Sequence, residues 1–416
     1  MEDRPFDSRA FDRVVREVRP LSDALRAGGY RVYLVGGIVR DLIAGRQRSA
    51  PDIDLTTDAT PEQIEHVLDG KTDALWKQGA RFGTIGCRLG DRIFEITTHR
   101  SEAYMSESRK PIVTFSTRVE DDLSRRDFTV NAMALTVPGG ELIDPFGGQG
   151  DLAARILRTP LAPDVSLSDD PLRMLRAARF VAGYALAPEP AIETAIVALR
   201  DRLGIVSRER IRDELDKLLA VPDPVPGLVL LRRTELLAEF IPELSGADDA
   251  SFELLRRIDG LARRRVALFL PIVDRSTAVA RARVLKYSAR EIESIGAVLY
   301  AVDALRALGG FDPPSVRRWV RAAGIDVDDA LAVAEAMPLP TAPALRRLLD
   351  RLVAQEDMQA LEPELDGDEV QRVLGIAQGR DVGAALKFLL DLRLDEGVLG
   401  PDEARRRLRE WWSAPA

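Results

Sequence analysis

Two aspartates, Asp52 and Asp54, lie two positions apart in the segment DIDLTT, which we expect to be a strand. Because side chains alternate between the two faces of a strand, both carboxylates point to the same face. Neighbouring carboxylates repel each other unless a cation lies between them. Mg²⁺ prefers one or two carboxylates together with substrate phosphates, so this pair predicts a magnesium site with Asp52 and Asp54 as ligands.

A glycine pair, Gly36 and Gly37, precedes these aspartates in the segment YLVGGIVRDLIAG. The pattern predicts a strand, then the glycines, then a short helix over Ile38–Ala44. Glycines allow a phosphate to approach the backbone N–H groups at the start of a helix, where the helix dipole favours an anion. Arg40 lies one turn further and could add a charge-assisted contact. Together these segments indicate a metal-dependent nucleotide site.

The composition is that of a globular protein with two to four domains: 416 residues, 46% hydrophobic and 30% charged. No apolar run reaches the roughly 18 residues of a membrane helix, and the charged N-terminal segment does not resemble a secretory signal. The single cysteine, Cys87, excludes an intramolecular disulfide. We therefore expect a cytoplasmic protein without a membrane partner. The net charge of −8 argues against a general nucleic-acid coat protein but leaves room for a local basic groove.

The first 150 residues alternate between helical and strand patterns around one small sheet, and almost everything after Asp151 is helical. Glu95 lies on the second strand of a predicted hairpin with a two-residue turn at Gly90 and Asp91. The expected elements are a helix over Phe11–Ala27, a helix from Thr60 to Leu68, hairpin strands over Thr84–Leu89 and Arg92–Thr97, a flexible loop over Ser101–Thr117, and helices over Asp170–Gly183, Pro190–Leu203 and Arg208–Ala220.

Several motifs in this order resemble class II tRNA nucleotidyltransferases, the CCA-adding enzymes, to which bacterial poly(A) polymerase is closely related. The motifs are LVGGIVRDLIAG, DIDLTT, RFGTIGCRL, EITTHRSEAY, DDLSRRDFTVNAMAL, LIDPFGG, SDDPLRMLRAARF and SRERIRDEL, which span about residues 33 to 215. The C-terminal segment GRDVGAALKFLLDLRLDEGVLGPDEARRRLREWW also resembles the tails of some bacterial members.

The resemblance implies an α+β fold with a polymerase-β-like head that contains a small mixed sheet, followed by an all-α neck, body and tail. The expected boundaries are 1–150 for the catalytic head, 151–221 for the neck with base recognition, 222–310 for the body and 311–416 for the tRNA-contacting tail. The resemblance further implies template-independent addition of C, C and A to the tRNA 3′ end from CTP and ATP. No obligate protein partner is evident.

The resemblance also assigns roles around the metal site. Glu95 resembles the third carboxylate, which helps to deprotonate the attacking hydroxyl. Asn131 either hydrogen-bonds the ribose or fixes its loop, and for Arg125 and Asp127 a structural ion pair is as plausible as a ligand contact. The residues that would hold the triphosphate are Gly36, Gly37, Arg40 and Arg126.

A second cluster resembles the family's base-selecting motif, at what we expect to be the start of a helix. A carboxylate only accepts hydrogen bonds and a guanidinium only donates them, so one Asp and one Arg match the exocyclic amine and ring acceptor that cytosine and adenine share. Uracil and guanine present the reverse order and would leave buried groups unpaired. The cluster starts Asp-Asp here, where the family has Glu-Asp, and comprises Asp169, Asp170, Arg173, Arg176 and Arg179. Glu209, Arg210 and Glu214 resemble a motif that braces this helix.

Other activities remain as alternatives. The segment Ala80–Gly86 resembles CCA-adding enzymes more than poly(A) polymerases, and the loop Arg100–Pro111, with Arg109, argues against a CC-only enzyme; an A-only enzyme stays possible. A His-Asp metal phosphohydrolase is excluded because no histidine follows His99. A purely RNA-binding protein would not need clustered carboxylates. The candidate tRNA phosphate contacts are Arg256, Arg257, Arg263, Arg264, Arg265, Arg346, Arg347, Arg405, Arg406 and Arg407.

Overall fold

The computed structural model describes residues 6–46, 53–103, 112–307, 310–324, 327–337 and 342–413. The chain divides into two compact units, Met1–Ser245 and Gly246–Ala416. Within the described ranges, no helix combines the length and the apolar character needed to cross a membrane.

The first unit combines one large sheet with helices. Its helices are α1 (Ser8–Ala27), α2 (Gly37–Ile43), α3 (Pro61–Leu68), α4 (Val119–Ser124), α5 (Gly148–Ala154), α6 (Pro163–Asp169), α7 (Leu172–Tyr184), α8 (Pro190–Leu199), α9 (Arg208–Leu219) and α10 (Val225–Arg233). Its strands are β1 (Val32–Val35), β2 (Asp54–Thr57), β3 (Ala74–Trp76), β4 (Thr84–Leu89), β5 (Arg92–Thr98), β6 (Arg100–Ala103), β7 (Ile112–Phe115), β8 (Ala134–Thr136), β9 (Leu142–Ile143), β10 (Ile156–Leu157) and β11 (Ala187–Pro188). Short 3₁₀ helices cover Ala80–Phe82, Thr129–Asn131, Arg200–Ile205, Leu236–Glu239 and Pro242–Leu244.

The main sheet has the strand order β3-β4-β5-β2-β1-β8-β9. Strands β2 and β5 are parallel, and β1 is antiparallel to both β2 and β8. The two faces of this mixed sheet are covered differently. Apolar residues of α1 and α3 form the core with one face, and α4 packs against Tyr33 and Val35 of β1 on the other face.

Local signals explain the elements that surround this sheet. In α1 the buried residues recur at helical spacing, and Asp7 caps the first turn by accepting a hydrogen bond from Arg9 N at 2.9 Å. Helix α3 begins with a capping box between Thr60 and Gln63, with a proline in its first turn. The predicted helices over Phe11–Ala27 and Thr60–Leu68 and the hairpin of β4 and β5 are confirmed.

One expectation is wrong in the described part of the segment Ser101–Thr117, which was predicted to be a flexible loop. Strands β6 and β7 pair antiparallel there, with Arg100 opposite Phe115. The run Ile-Val-Thr-Phe of β7 consists of β-branched and aromatic residues, whose preference for strands outweighs the polar character of the surrounding segment. Residues 104–111, which include Arg109, lie outside the described residues.

The second unit is helical throughout its described residues. Its elements are a 3₁₀ helix (Asp249–Arg256) and the helices α11 (Leu261–Phe269), α12 (Arg275–Val284), α13 (Ala289–Ala307), α14 (Pro313–Ala323), α15 (Val327–Ala336), α16 (Ala342–Val353), α17 (Gly367–Leu374), α18 (Arg380–Glu396) and α19 (Pro401–Ser413). A buried ion pair between Arg317 and Glu356, at 2.8 Å, is shared with Arg393, which ties α14 to α18.

The expected fold class, an α+β head followed by helices, is confirmed. The division into four domains stays a prediction. The first compact unit extends to Ser245, and α10, which follows the expected end of the neck at residue 221, packs on α7.

Candidate active site

Asp54 and Glu95 lie side by side in the middle of the main sheet. They are register partners on the parallel strands β2 and β5, and Asp54 is also the partner of Val35, the last residue of β1. Partners in register point to the same face of a sheet, so the two carboxylates lie next to each other. Asp54 is half-buried and Glu95 is exposed. The fold thus brings two predicted catalytic carboxylates together, whereas Asp52 lies outside the described residues.

The chain turns sharply into α2 at Gly36, directly beside Asp54. Gly36 has a φ of +72°, which only glycine adopts readily. A Cβ atom built there would lie 2.8 Å from Nη1 of Arg126 and 3.7 Å from Oδ2 of Asp54. The close approach of these atoms explains the glycine. It also places the predicted triphosphate-holding residues Gly36 and Arg126 beside Asp54, a predicted catalytic carboxylate.

Asp122 orients the Arg126 side chain. Its fully buried carboxylate accepts hydrogen bonds from Nη2 of Arg125 at 2.6 Å and from Nη2 of Arg126 at 3.0 Å. Burial alone would raise the pKa of Asp122, but the two guanidinium groups outweigh burial and hold its pKa below the ordinary value. Asp122 was not among the predicted site residues. Its spacing of three and four residues from the two arginines was the available signal.

Arg40 and Asn131 belong to a buried polar chain between the head and α7. Arg40 is 5% exposed and donates to Oδ1 of Asn131 at 2.6 Å and to Oδ1 of Asp41 at 2.9 Å. Its guanidinium carbon lies 4.1 Å from the centre of the Tyr184 ring. These contacts bind α2 to α7. A triphosphate contact by Arg40 stays a prediction, and so does one by Gly37, the first residue of α2.

Asp127 continues this polar chain. Its buried carboxylate accepts hydrogen bonds from Asn131 Nδ2 at 2.9 Å and from Nε of Arg176 at 2.9 Å. Burial raises the pKa of Asp127, but the charge of Arg176 and the hydrogen bonds outweigh it and hold the pKa far below the ordinary value. In this structure Asn131 fixes its loop, which was one of its two predicted roles, and Asp127 forms an ion pair.

The predicted base-selecting residues lie around the start of α7, which begins later than expected. Asp169 ends α6, and Asp170 has an extended conformation before Pro171, since a residue that precedes proline avoids helical geometry. The expectation that both aspartates begin the helix is therefore wrong. The Asp170 carboxylate accepts hydrogen bonds from Leu172 N and from Nη2 of Arg210, each at 3.3 Å.

The arginines of α7 find their acceptors within the chain. Arg173 is buried and donates to the Ser166 hydroxyl at 2.8 Å and to the carbonyl of Arg125. Arg176 pairs with Asp127, and Arg179 pairs with Glu214 of α9. The resemblance predicted that Glu209, Arg210 and Glu214 brace this helix; Glu214 contacts it through Arg179, and Arg210 contacts Asp170 just before it.

Most arginines predicted to contact tRNA phosphates from the second unit make ion pairs within that unit. Arg263 pairs with Asp329 at 2.7 Å and Arg265 with Glu291 at 2.7 Å, while Arg264 is buried. The remaining ion pairs are Arg256 with Glu253, Arg346 with Glu335, Arg405 with Glu369, Arg406 with Glu403 and Arg407 with Glu396. Their contacts with RNA stay predictions.

The donor set of the sheet suits a hard cation, because Asp54 and Glu95 offer only carboxylate oxygens. The described residues contain no cluster of three or more side chains of the His, Cys, Asp and Glu types that could hold a metal, and the predicted ligand Asp52 is outside them.

Comparison with known proteins gives two matching family models. The family model "Poly A polymerase head domain" matches residues 32–158, and "Probable RNA and SrmB-binding site of polymerase A" matches residues 185–247. The CCA-adding enzyme of Geobacillus kaustophilus is 36% identical over 287 residues, which are 67% of this chain and 68% of that enzyme. The CCA-adding enzyme of Bacillus subtilis is 37% identical over 232 residues, 55% of this chain but only 56% of that enzyme.

Solved structures cover nearly the whole chain. A crystal structure of the Bacillus stearothermophilus CCA-adding enzyme in complex with CTP aligns with 95% of this chain and 97% of that chain, with a TM-score of 0.79 and 28% identity. The Thermotoga maritima CCA-adding enzyme complexed with tRNA shares the fold, with a TM-score of 0.67 and 21% identity over 98% of this chain and 99% of that chain. The chain belongs to the CCA-adding enzyme family.

Proposed function

We propose that this protein adds C, C and A to the 3′ end of tRNA, using CTP and ATP and no nucleic-acid template. The observation that carries the proposal is the pair Asp54 and Glu95, with Gly36 and Arg126 next to Asp54, in a chain of the CCA-adding family. The complexes of related enzymes with CTP and with tRNA support these substrates. A tRNA substrate implies a cytoplasmic location.

Asp54 and Asp52 would hold Mg²⁺, which when bound lowers the pKa of the attacking hydroxyl and stabilises the leaving oxygens. Glu95 accepts the proton of the tRNA 3′-hydroxyl as this oxygen attacks the α-phosphate, and the bond from the α-phosphorus to the bridging oxygen breaks to release pyrophosphate. Arg126, oriented by Asp122, binds the triphosphate oxygens beside Gly36. The tight turn at Gly36 keeps side-chain atoms out of the space that the phosphates need.

Asp170 and Arg173 select the base by the order of acceptor and donor that they offer. The guanidinium of Arg173 has five N–H groups, three of which donate to Ser166 and to the Arg125 carbonyl. These contacts fix its orientation and leave two N–H groups for a base. Arg176 and Arg179 anchor the same helix through Asp127 and Glu214, so their role is to hold α7 in place. Asp169 ends α6, directly before Asp170.

The test uses purified protein, Mg²⁺, single nucleoside triphosphates and three tRNA transcripts that lack CCA, lack only the final A, or are complete. We expect CMP to be added twice to the first transcript and AMP once to the second. UTP and GTP are refused, and the complete tRNA is not extended. Extension of only the second transcript would indicate an A-adding enzyme, and repeated AMP addition would indicate a poly(A) polymerase. No incorporation in any reaction would contradict the proposal.

A further inference from the structure

The main sheet has an open surface next to Glu95. Trp76 of β3 is the register partner of Gly86, and Gly86 is the partner of Glu95. Two residues further along these strands, Arg88 is the partner of Ile93. Partners and alternate residues share a face, so these side chains lie on the face that carries the catalytic carboxylates. We name this surface the β3–β5 face, formed by Trp76, Arg88, Ile93 and Glu95.

The two faces of these strands differ sharply in burial. The side chains that alternate with the β3–β5 face are buried in the core with α1 and α3: Ile85, Cys87, Phe94 and Ile96. On the β3–β5 face Ile93 is 63% exposed, and Arg88 and Glu95 are exposed as well. A large aliphatic residue beside a catalytic carboxylate is thus left accessible.

The Trp76 ring extends this surface toward Glu95. A Cβ atom at Gly86 would lie 2.0 Å from Nε1 and 2.3 Å from Cε2 of Trp76. The ring therefore covers the backbone of β4, in space that only a glycine leaves empty. Trp76 itself is half-buried. Since adjacent strands are about 4.8 Å apart, the Cα atoms of Trp76 and Glu95 are separated by roughly 10 Å, which suits the dimensions of one nucleotide.

The arginines on the two faces of this hairpin differ in their ion pairs. Arg92, four residues from Arg88 in the same hairpin, points to the opposite face and pairs with Glu17 at 2.9 Å. Within the described residues Arg88 pairs with no carboxylate. An exposed arginine, an aromatic ring and an aliphatic side chain on a sheet surface match the chemistry of single-stranded RNA binding, in which bases stack and phosphates meet cations.

The order of the groups across the sheet indicates which part of the substrate binds here. The triphosphate-holding residues Gly36 and Arg126 lie on one side of Asp54, and Glu95 lies on the other side. In phosphoryl transfer the attacking and leaving oxygens lie roughly in line on opposite sides of the phosphorus. The RNA 3′ end, which carries the attacking hydroxyl, therefore approaches from the side of Glu95.

We propose that the β3–β5 face binds the single-stranded 3′ end of the RNA substrate, with Trp76 stacked on the terminal base and Arg88 in contact with its phosphate. This inference rests on the proposed function and adds the binding site of the acceptor strand. It assigns Trp76 and Arg88 to the RNA and leaves the incoming nucleotide to Arg126, Asp170 and Arg173.

The test compares wild type with Trp76→Leu and Trp76→Phe in AMP transfer from ATP to a tRNA that ends in CC. Leucine still covers Gly86 but offers no aromatic plane. We expect Trp76→Leu to lower kcat/KM for the tRNA by about 5–100-fold, the range of base stacking on an aromatic residue, with KM for ATP unchanged. Trp76→Phe keeps most of the wild-type value. Thermal unfolding checks that both variants are folded.

A second substrate, a tRNA whose terminal nucleotide lacks its base, allows a double-mutant cycle between the ring of Trp76 and that base. Wild type loses a similar factor on this substrate, whereas Trp76→Leu loses almost nothing further, because the stacking contact is already absent. Arg88→Ala raises KM for the tRNA and weakens its salt dependence. The matched control Arg92→Ala stays within about twofold of wild type, because Arg92 pairs with Glu17 on the other face.

Three results would overturn the inference. If the losses in kcat/KM from Trp76→Leu and from the missing base multiply, the ring only packs on Gly86. A raised KM for ATP would assign the face to the incoming nucleotide, and a Trp76→Leu enzyme with wild-type kinetics would show that the ring contributes nothing. A wild-type protein that fails to extend the CC-ended tRNA contradicts the proposed function instead. The two failures are therefore distinguishable.

Discussion

The carboxylates of the main sheet and the arginines of α7 are both close-set groups of like charge, but the fold treats them in opposite ways. Glu95 is exposed, and Asp54 faces the turn at Gly36. Arg176 and Arg179 are ion-paired within the chain, whereas Arg173 makes its hydrogen bonds to Ser166 with one nitrogen and keeps N–H groups for a base. In the first unit, ion pairs within the chain fix the arginines that hold α7, whereas the exposed carboxylate of Glu95 is accessible to a substrate.

A large effect should come from Glu95→Gln, which keeps the size of the side chain but removes the proton acceptor. We expect kcat for AMP addition to fall by about 10²–10⁴-fold, with tRNA affinity unchanged. Steady-state kinetics and filter binding measure the two quantities. Glu141→Gln, an exposed residue just before β9, is the matched control and should be silent. A Glu95→Gln enzyme within twofold of wild type would remove Glu95 from the catalytic pair.

Asp127→Ala tests the second region of this comparison, the arginines of α7 that are ion-paired within the chain. It leaves Arg176 without its partner, and we expect the free energy of unfolding to drop by about 2–4 kcal/mol. Denaturant titration measures it. Asp23→Ala, which removes exposed ion pairs on α1, should cost less than about 1 kcal/mol. Equal costs at the two positions would show that the buried pair is dispensable.

The ion pair between Asp127 and Arg176 also predicts how the free energy of unfolding depends on pH. The folded state holds the pKa of Asp127 below its ordinary value. Its contribution to stability is therefore present above the unfolded pKa of about 3.9 and is lost as the pH falls below that value toward the folded pKa. The stability difference between wild type and Asp127→Ala should be constant from pH 7 to pH 5 and should shrink below pH 4. A difference that grows on acidification would contradict this sign.

Gly36→Ala tests the predicted triphosphate-holding residues beside Asp54. A methyl group at this position meets Nη1 of Arg126 and strains a backbone with a φ of +72°. We expect kcat/KM for the nucleotide to fall by about 10–100-fold, as small displacements of substrate-holding groups do. Gly45→Ala, at a φ of +64° with no atom within 4 Å, also places an alanine at a positive φ but makes no such contact. Similar kinetic losses in both variants would indicate strain alone.

The smallest effect concerns the two faces of β4. Cys87 is completely buried, and burial raises its pKa to about 11. At pH 8 its thiol should resist iodoacetamide until the protein unfolds. Arg88→Cys combined with Cys87→Ala should be labelled rapidly, because position 88 is exposed. Equal labelling rates, followed by mass spectrometry, would contradict the alternation on which the β3–β5 face depends.

Local patterns predicted the elements that depend on neighbours in sequence. The periodicity of α1, the capping residues of α3 and the turn at Gly90 are such signals, and they also placed Glu95 on β5. The ion pairs of α7 depend on tertiary packing instead. Arg176 and Asp127 are 49 residues apart, and Arg179 and Glu214 are 35 apart, so no spacing rule connects them. For the same reason nothing in the sequence indicated that Tyr184 would pack on Arg40.

The most direct test of the account is the single-turnover rate of AMP transfer to a CC-ended tRNA by Asp54→Ala and Asp58→Ala. Asp54 begins β2 and Asp58 directly follows its last residue, where it pairs with Arg31 at 2.9 Å. We predict a loss of about 10³-fold or more for Asp54→Ala, with tRNA binding retained, and a rate within a few-fold of wild type for Asp58→Ala. An Asp54→Ala enzyme that transfers AMP within tenfold of the wild-type rate would contradict a catalytic centre on this sheet.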